Sequence, residues 1–415
     1  MTYTDELRNN WRPLLAAMVG LSSGFTALAF TNSIMGPYLL RAFAWPKADF
    51  ALVGSLSLMT LIALPVAGRL ADRFGVRRTA AVGFIAGPIS FLVLSRMSGD
   101  FRFYMTILVA QNLLCMTTTS TVFTRTVVQH IHRARGIALA LAASGPALTI
   151  AIAGPLLNEF IAANGWRAGY VALATFTATG GLIAISLVPS RRHATEATES
   201  AARQSGNDYR KLLHMSSFWI LASGIMLCNF SQFLVNSQLG VVLETYHLSS
   251  SKISAMISTF AVGVMIGRLV CGLALDRFAA PVIAVVAMGL PGFGQCLIAA
   301  DTGSTTIVTA AILCMGLSYG AEADLIGYLV ARTFGIHIYG TVLGLMTAAL
   351  SLGSTMGSLL LSATLKSTGS YGLFLFGSGG LALIGSLIFL LLPAAKSQPD
   401  DIAEQDAAPW RDATS

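Results

Sequence analysis

Charged side chains are scarce in this chain. Its 415 residues include 26 Lys and Arg and 19 Asp and Glu, so that 11% of the chain is charged, whereas about a quarter of the residues in soluble domains are charged. The net charge of +7 has no soluble basic domain to carry it, which argues against a nucleic-acid-binding role. We find no nucleotide-binding loop and no nucleophile–base pair. We therefore expect neither an enzyme nor a protein with a cofactor.

Cysteine is also scarce, and its spacing is uninformative. The five cysteines all fall inside apolar runs, and they are Cys115, Cys228, Cys271, Cys296 and Cys314. None has the spacing of metal ligands, so we expect buried free thiols and no metal site.

Long apolar runs dominate the rest of the sequence, in which 54% of residues are hydrophobic. The runs are 14–40, 51–70, 79–94, 103–128, 136–162, 170–188, 218–243, 253–275, 282–300, 307–330, 341–365 and 373–392. Each is close to the roughly 20 residues with which an α-helix crosses a bilayer. Barrel strands would be about half as long and would alternate in polarity. The pattern predicts an all-α membrane protein with twelve spans, numbered here in chain order.

Polar segments divide these runs into two sets of six. We expect a cytoplasmic N-terminus (1–12), a six-helix bundle (13–189), a cytoplasmic linker (190–215), a second six-helix bundle (216–393) and a cytoplasmic tail (394–415). The polar start and the length of the first run argue against a cleaved signal peptide. Lys and Arg concentrate on the side of both termini, which predicts a multi-pass protein of the inner or plasma membrane with both termini inside.

The two halves also share a sequence pattern. Residues 68–74 read Gly-Arg-Leu-Ala-Asp-Arg-Phe, and residues 272–278 read Gly-Leu-Ala-Leu-Asp-Arg-Phe. Gly136 and Gly340 lie at the same separation along the chain. This duplication predicts two pseudo-symmetric bundles, which is the usual plan of a secondary transporter with its substrate path between the repeats.

The first copy of the pattern, which continues as Gly-Val-Arg-Arg over 75–78, resembles the signature loop of the major facilitator superfamily. The resemblance covers nearly the whole chain and implies the major facilitator fold. We expect conformational gating by residues of the two loops and by Arg125 near the end of the fourth span, for which a substrate role is the alternative; the loop residues are Gly68, Asp72, Arg73, Arg77, Asp276 and Arg277. We expect Asp72 to pair with a neighbouring helix N-terminus. A basic loop that only fixes the topology is the alternative.

Three shorter motifs resemble the monocarboxylate and oxalate/formate porter branch. They are Phe-Ala-Trp-Pro-Lys-Ala at 43–48, Arg-Gly-Ile-Ala-Leu-Ala at 135–140, and Gly-Arg-Leu-Val-Cys-Gly at 267–272. Such porters move small carboxylates, often with a proton, or exchange one anion for another. One position departs from the pattern: animal members tend to have an Asp one turn before the eighth-span Arg, where this chain has Val264.

Three ionisable residues lie at a similar depth within the spans. Arg268 is in the eighth span, and Glu322 and Asp324 are in the tenth. The resemblance makes Arg268 the anchor of a substrate carboxylate; a structural ion pair, or snorkelling to the membrane surface, is the alternative. The two acids point about 200° apart on a helix, so we expect one to face the central cavity and the other to pack against the eighth or eleventh span. Either is a candidate proton carrier, because a low dielectric favours a neutral carboxyl group.

Uncharged polar residues cluster on the first, fourth, seventh and tenth spans, which line the cavity in transporters of this plan, as the resemblance implies. The candidate substrate ligands among them are Asn32, Tyr38, Gln111, Asn229, Gln232 and Tyr319. Hydrogen bonding between packed helices is the competing interpretation for each.

These observations predict a proton-coupled transporter of small monocarboxylates, working by alternating access as a monomer in the lipid bilayer. Its partners would be an organic anion and a proton. One alternative is an anion antiporter of the oxalate/formate type. Another is a proton antiporter of drugs or metabolites, since Gly145 and then Gly154-Pro155 partly match the fifth-helix pattern of such proteins. A receptor or an intramembrane enzyme is the third.

Overall fold

The computed structural model describes residues 3–131, 134–189, 212–245, 250–275, 277–300, 303–335 and 338–392. These residues form helices and their connections, without a strand among them. Ten of the helices are long and apolar enough to cross a membrane. One of the ten contains two spans, and a broken helix pair at the start completes the twelve.

The first span and the segment that contains the fifth and sixth spans are both interrupted at a glycine. The first span consists of Trp11–Ser23 and Phe25–Phe43, which meet at Gly24. The fifth and sixth spans are two helices within Arg135–Leu187 that are separated by Gly165, whose φ of 84° and ψ of 163° are not helical. A residue with a Cβ atom would be strained in that conformation, so glycine lets the chain reverse without a loop.

The remaining spans follow the apolar runs closely. They are Lys47–Phe74, Val76–Ser95, Phe101–His130, Ser216–Thr245, Ser250–Leu275, Ala280–Ala299, Thr305–Phe334, Tyr339–Thr368 and Gly372–Leu391. The predicted linker (190–215) and tail (394–415) lie largely or wholly outside the described residues, so these domain limits stay predictions. The N-terminal segment contains a short helix, Tyr3–Asn9, which the polar composition does not indicate.

Glycines bring the eighth and tenth spans into backbone contact. A Cβ atom built on Gly267 would lie 2.0 Å from the carbonyl oxygen of Leu317, and one built on Gly320 would lie 2.0 Å from that of Val264. Gly263 and Gly316 approach one another one turn earlier on each helix. Small residues four apart on both helices permit this approach. The crossing sets the positions of the charged side chains next to it.

The two halves are joined at the end of the molecule that carries Trp45, called here the Trp45 end; the opposite end, with the loop after the second span, is the Asp72 end. Two ion pairs cross between the halves at the Trp45 end. Arg41 Nε lies 3.2 Å from Glu244 Oε1, and Lys366 Nζ lies 3.8 Å from Asp49 Oδ1. Each half thus supplies one cation and one anion.

Hydroxyl groups join the second and eleventh spans below these ion pairs. The Ser57 and Thr355 oxygens are 3.0 Å apart, the Thr60 and Ser351 oxygens are 2.7 Å apart, and Ser358 donates to the Ala51 carbonyl at 2.8 Å. The inter-half hydrogen bonds and ion pairs that described residues make with one another run from this level to the Trp45 end. In this arrangement the two halves are therefore held together at the Trp45 end.

Candidate functional site

An ion pair lies beside the glycine crossing of the eighth and tenth spans. Arg268 Nε is 3.3 Å from Asp324 Oδ2, and their side chains are 21% and 48% exposed. The guanidinium Nε makes no aligned hydrogen bond, although it is fully buried. Gly267 directly precedes Arg268, and Gly320 lies one turn before Asp324, so the close backbones bring the two charges together.

Glu322 lies on another face of the tenth span and contacts the seventh. Its carboxylate Oε2 accepts a hydrogen bond of 3.1 Å from Gln232 Nε2, whereas its buried Oε1 has no hydrogen-bond partner. Asn229 lies within interaction distance of the same carboxyl group. Asn229 also donates from Nδ2 to the carbonyl of Ile225 at 3.0 Å. Helical periodicity thus separates the two acids as the sequence predicts, and each receives a different neighbour.

Tyr319 connects this polar cluster with an aromatic contact between the halves. Its ring centroid is 6.2 Å from that of Phe30 in the first span and 5.6 Å from that of Phe260 in the eighth. The Phe30 and Phe260 centroids are 6.0 Å apart. Tyr319 is also within electrostatic range of Glu322 and Arg268. The charged groups and the three rings therefore form one site, called here the Arg268 site.

Three predicted substrate ligands do not join the Arg268 site. Asn32 Oδ1 accepts from the hydroxyl of Tyr104 at 3.0 Å. The hydroxyl of Tyr38 donates to Asn158 Oδ1 at 2.7 Å. Gln111 donates from Nε2 to Ser90 Oγ at 2.8 Å. All three bonds lie within the N-terminal half, which favours the competing interpretation, hydrogen bonding between packed helices, and the ligand role of these residues stays a prediction.

The predicted gating residues form a separate group at the Asp72 end. Arg125 Nη1 pairs with Asp72 Oδ1, and its Nη2 is the nearest neighbour, at 3.6 Å, of a Cβ atom built on Gly68. Asp72 therefore has the fourth-span arginine as a partner, and its expected pairing with a helix N-terminus stays a prediction. The Arg73 guanidinium lies 5.3 Å from the ring centroid of Phe74.

The other gating candidates make fewer contacts. Arg77 and Arg277 are exposed. Asp276 lies outside the described residues, so its predicted role stays a prediction.

Sequence reasoning missed part of the Arg268 site. Phe30 and Phe260 look like ordinary apolar residues of their spans, and no local signal distinguishes them. Asn236 has a buried Oδ1 atom without a hydrogen-bond partner and lies beside Tyr319. Its spacing from Asn229 and Gln232, seven and four residues, places it on the same stripe of the seventh span, so the stripe is visible in the sequence although Asn236 is not among the candidate ligands.

A family model, that of the major facilitator superfamily, matches this chain over residues 15–243 and 221–415. The chain belongs to the major facilitator superfamily. Within this superfamily it is similar to human monocarboxylate transporter 11, with 25% identity over 399 residues, 91% of this chain and 81% of that protein. It is also 25% identical, over 359 residues, to the MFS-type transporter pynF of Aspergillus niger, covering 83% of this chain and 79% of that one. It is thus a superfamily transporter that resembles the monocarboxylate branch.

Two solved structures share the fold. A mutant of the nucleoside transporter NupG superposes with a TM-score of 0.75 at 12% identity, covering 92% of this chain and 99% of that one. A bacterial homologue of the human lysosomal transporter Spinster, in an inward-facing and unoccupied conformation, superposes with a TM-score of 0.68 at 15% identity, covering 93% and 95%. These likenesses extend to the fold alone. Together with the family match, they establish the major facilitator fold, with twelve spans in two six-helix bundles.

Proposed function

We propose that this transporter carries small organic monocarboxylate anions together with a proton, by alternating access. The observation that carries the proposal is the ion pair of Arg268 and Asp324 within the membrane-spanning part of the C-terminal half, 3.3 Å apart. An ionisable group in a span is costly to bury and usually serves a partner or a substrate path. The similarity to a monocarboxylate transporter supports the same class of cargo.

Arg268 is the proposed anchor of the substrate. A guanidinium group holds a carboxylate with two parallel hydrogen bonds. In the described structure this cation is partnered by Asp324 alone, without an aligned hydrogen bond at Nε. Because Nε is buried against Asp324, a cargo would bind through the Nη groups of this partly exposed side chain. A cargo carboxylate would compete with Asp324 for the same group.

This competition provides a route to proton coupling. When Asp324 takes up a proton, Arg268 loses its internal counter-ion, and an anion can replace it without changing the net charge of the site. In this chain the carboxyl group that pairs with Arg268 belongs to Asp324 of the tenth span. The eighth-span position one turn before Arg268 is Val264, which has no carboxyl group. Glu322 is the second candidate proton carrier, because it is buried with one oxygen lacking a hydrogen-bond partner.

Alternating access requires the Trp45 end to separate. The ion pairs and hydroxyl contacts at that end would break, while the contacts within each bundle persist. With both termini placed in the cytoplasm of a cell with an inner or plasma membrane, the Trp45 end faces outward, and the described arrangement is the one fastened on the outside. We place one chain in each functional unit, since a single chain supplies both of the halves that would move about the proposed substrate path.

Uptake by proteoliposomes tests the proposal. A panel of labelled carboxylates, such as formate, lactate and benzoate, identifies a cargo, and Arg268→Lys and Arg268→Ala are then compared with the parent protein. We expect both variants to lose most of the uptake. Arg96→Ala is the matched control, since Arg96 is exposed at the end of the third span. Undiminished uptake in both Arg268 variants would remove the anchor role.

Anion exchange without protons is the second candidate, because a half-exposed Asp324 can also act as a permanent counter-ion that exchanges with the cargo. Counterflow separates the two mechanisms. Exchange runs at full rate without a pH gradient when the vesicles are preloaded with anion, whereas symport into empty vesicles responds to an acidic outside.

A further inference from the structure

A cavity of about 250 Å³ lies between the first, third, fifth and sixth spans and shares only Phe30 with the Arg268 site. Phe30 and Ile34 of the first span and Phe91 of the third form its inner wall. Two residues of the fifth and sixth spans, Leu156 and Phe176, lie at its outer side and are 62% and 37% exposed. The cavity therefore opens on the outer surface of the N-terminal bundle.

The lining of this cavity is hydrocarbon apart from three threonines, Thr31, Thr149 and Thr177. The Thr177 hydroxyl donates to the carbonyl of Leu173 at 2.9 Å, within its own helix. No charged side chain lines the described cavity. A ligand with a charged head would find no counter-ion inside, whereas a hydrocarbon chain would make dispersion contacts that an empty space forfeits.

The surface around the opening of the cavity indicates the source of such a hydrocarbon chain. Ile152 and Val171, which flank it, are exposed apolar residues on the membrane-spanning helices. In a bilayer this surface faces acyl chains. We propose that the cavity is a binding site for one acyl chain of a membrane lipid.

Occupation of this site reaches the contact between the two halves. Phe30 forms the inner wall of the cavity, and its ring also lies against Phe260 and Tyr319 of the C-terminal half. Gly154 lines the cavity as well, and a Cβ atom on it would lie 3.8 Å from Ile257 of the eighth span. An acyl chain in the cavity supports these two residues from behind. It therefore stabilises the arrangement in which the halves are joined.

Photocrosslinking with a defined lipid tests this site. The purified protein is reconstituted with a phospholipid that carries a diazirine near the end of one acyl chain, irradiated, and digested for mass spectrometry. We expect labelling at residues 153–160 and 172–177 to exceed, several-fold, the labelling around Val282 and Val286, which are exposed on the ninth span. Equal labelling of all exposed apolar segments would overturn the proposal.

Two variants of the sixth span sharpen the test. Ala172→Phe fills the cavity from a partly exposed position, and Ala178→Phe adds the same ring to a partly exposed position of the same span outside it. We expect the first to abolish the excess labelling and the second to preserve it; Ala172→Leu serves if the larger ring prevents folding. Excess labelling that persists in the filled variants contradicts the proposal.

Competition by free decanoate and labelling of the Arg268→Ala variant show whether the bound acyl chain belongs to a membrane lipid or to an acid cargo. If free decanoate removes the labelling, the occupant is the tail of an acid cargo and the membrane-lipid assignment fails. Labelling that persists in Arg268→Ala is the expected result, because the site contains no part of the proposed carboxylate anchor. The two proposals therefore stand or fall separately.

Discussion

Asp324 contacts Arg268 from a neighbouring span, with 3.3 Å between Oδ2 and Nε. The contact is possible because the backbones of the two helices touch at glycines. Neither residue therefore has a side chain interposed between itself and its counter-ion, and a change at either one alters the charge balance at this crossing.

Asp324→Asn should uncouple uptake from the pH gradient. The amide keeps the size of the side chain but cannot gain or lose a proton, and it leaves Arg268 without an anionic partner. We expect the variant to bind the cargo at least as tightly as the parent and to exchange it, while an acidic outside no longer accelerates net uptake. Uptake and counterflow by proteoliposomes at two external pH values measure this. A variant that still responds fully to the pH gradient would exclude Asp324 as the proton carrier.

Glu322→Gln should be tolerated better than Gln232→Leu. The amide of Glu322→Gln retains an oxygen that can accept from Gln232, whereas Gln232→Leu removes the donor that lies 3.1 Å from the buried carboxyl group. An unsatisfied buried polar group costs about 1–3 kcal/mol. We expect a clear fall in the melting temperature of Gln232→Leu and a small change for Glu322→Gln, measured by thermal unfolding in detergent. Equal melting temperatures in all three proteins would contradict this role of the hydrogen bond.

Gly267→Ala should destabilise the protein, and Gly272→Ala should not. A Cβ atom at position 267 meets the carbonyl oxygen of Leu317 at 2.0 Å, while one at position 272 has no heavy atom within 4 Å. Overpacking of this kind costs about 1–3 kcal/mol. Replacing an open helical glycine by alanine gains about 0.4–1 kcal/mol. Thermal unfolding compares the two variants on the same helix, and a lower melting temperature for Gly272→Ala than for Gly267→Ala would contradict backbone contact between the eighth and tenth spans at Gly267.

A disulfide between the second and eleventh spans should stop transport reversibly. The hydroxyl oxygens of Ser57 and Thr355 are 3.0 Å apart, so thiols at these positions would meet. We expect the double variant Ser57→Cys with Thr355→Cys, in a background without the five native cysteines, to lose uptake on oxidation and regain it on reduction. Each single variant is the control and should keep its uptake under oxidant. Full uptake by a cross-linked protein would exclude separation of the halves at this level.

Asp72 and Arg125 should be energetically coupled. Their ion pair is partly exposed, and pairs of this kind contribute about 0.2–1 kcal/mol. We expect Asp72→Asn and Arg125→Gln each to lower the melting temperature slightly, and the double variant to lower it by less than the sum. A double-mutant cycle of thermal unfolding measures this coupling, and strict additivity would show that the two side chains act independently.

The sequence predicts the spans well because their length is set by the thickness of the bilayer. It also separates Glu322 from Asp324, since two residues on a helix differ by a fixed angle. It does not predict which neighbouring helix a polar side chain meets. Asn32, Tyr38 and Gln111 therefore look like cavity residues, although their hydrogen bonds hold helices of one half together.

Contacts between segments that are distant in the sequence were also not predictable from it. The Ser57–Thr355 contact joins residues 298 apart, and serine and threonine are common enough in spans to give no signal. The partner of Asp72 depends on how the second and fourth spans tilt, which the spacing of apolar residues does not fix.

The reciprocal ion pairs at the Trp45 end have a consequence for access. The positive charges of Arg41 and Lys366 are neutralised by Glu244 and Asp49, so these four residues carry no net charge whether the two halves are joined or separated at the Trp45 end. They neither draw anions toward the entrance nor repel cations from it. In the proposed transport cycle, selection of an anion would therefore depend on the Arg268 site, where Asp324 is the acidic partner of Arg268.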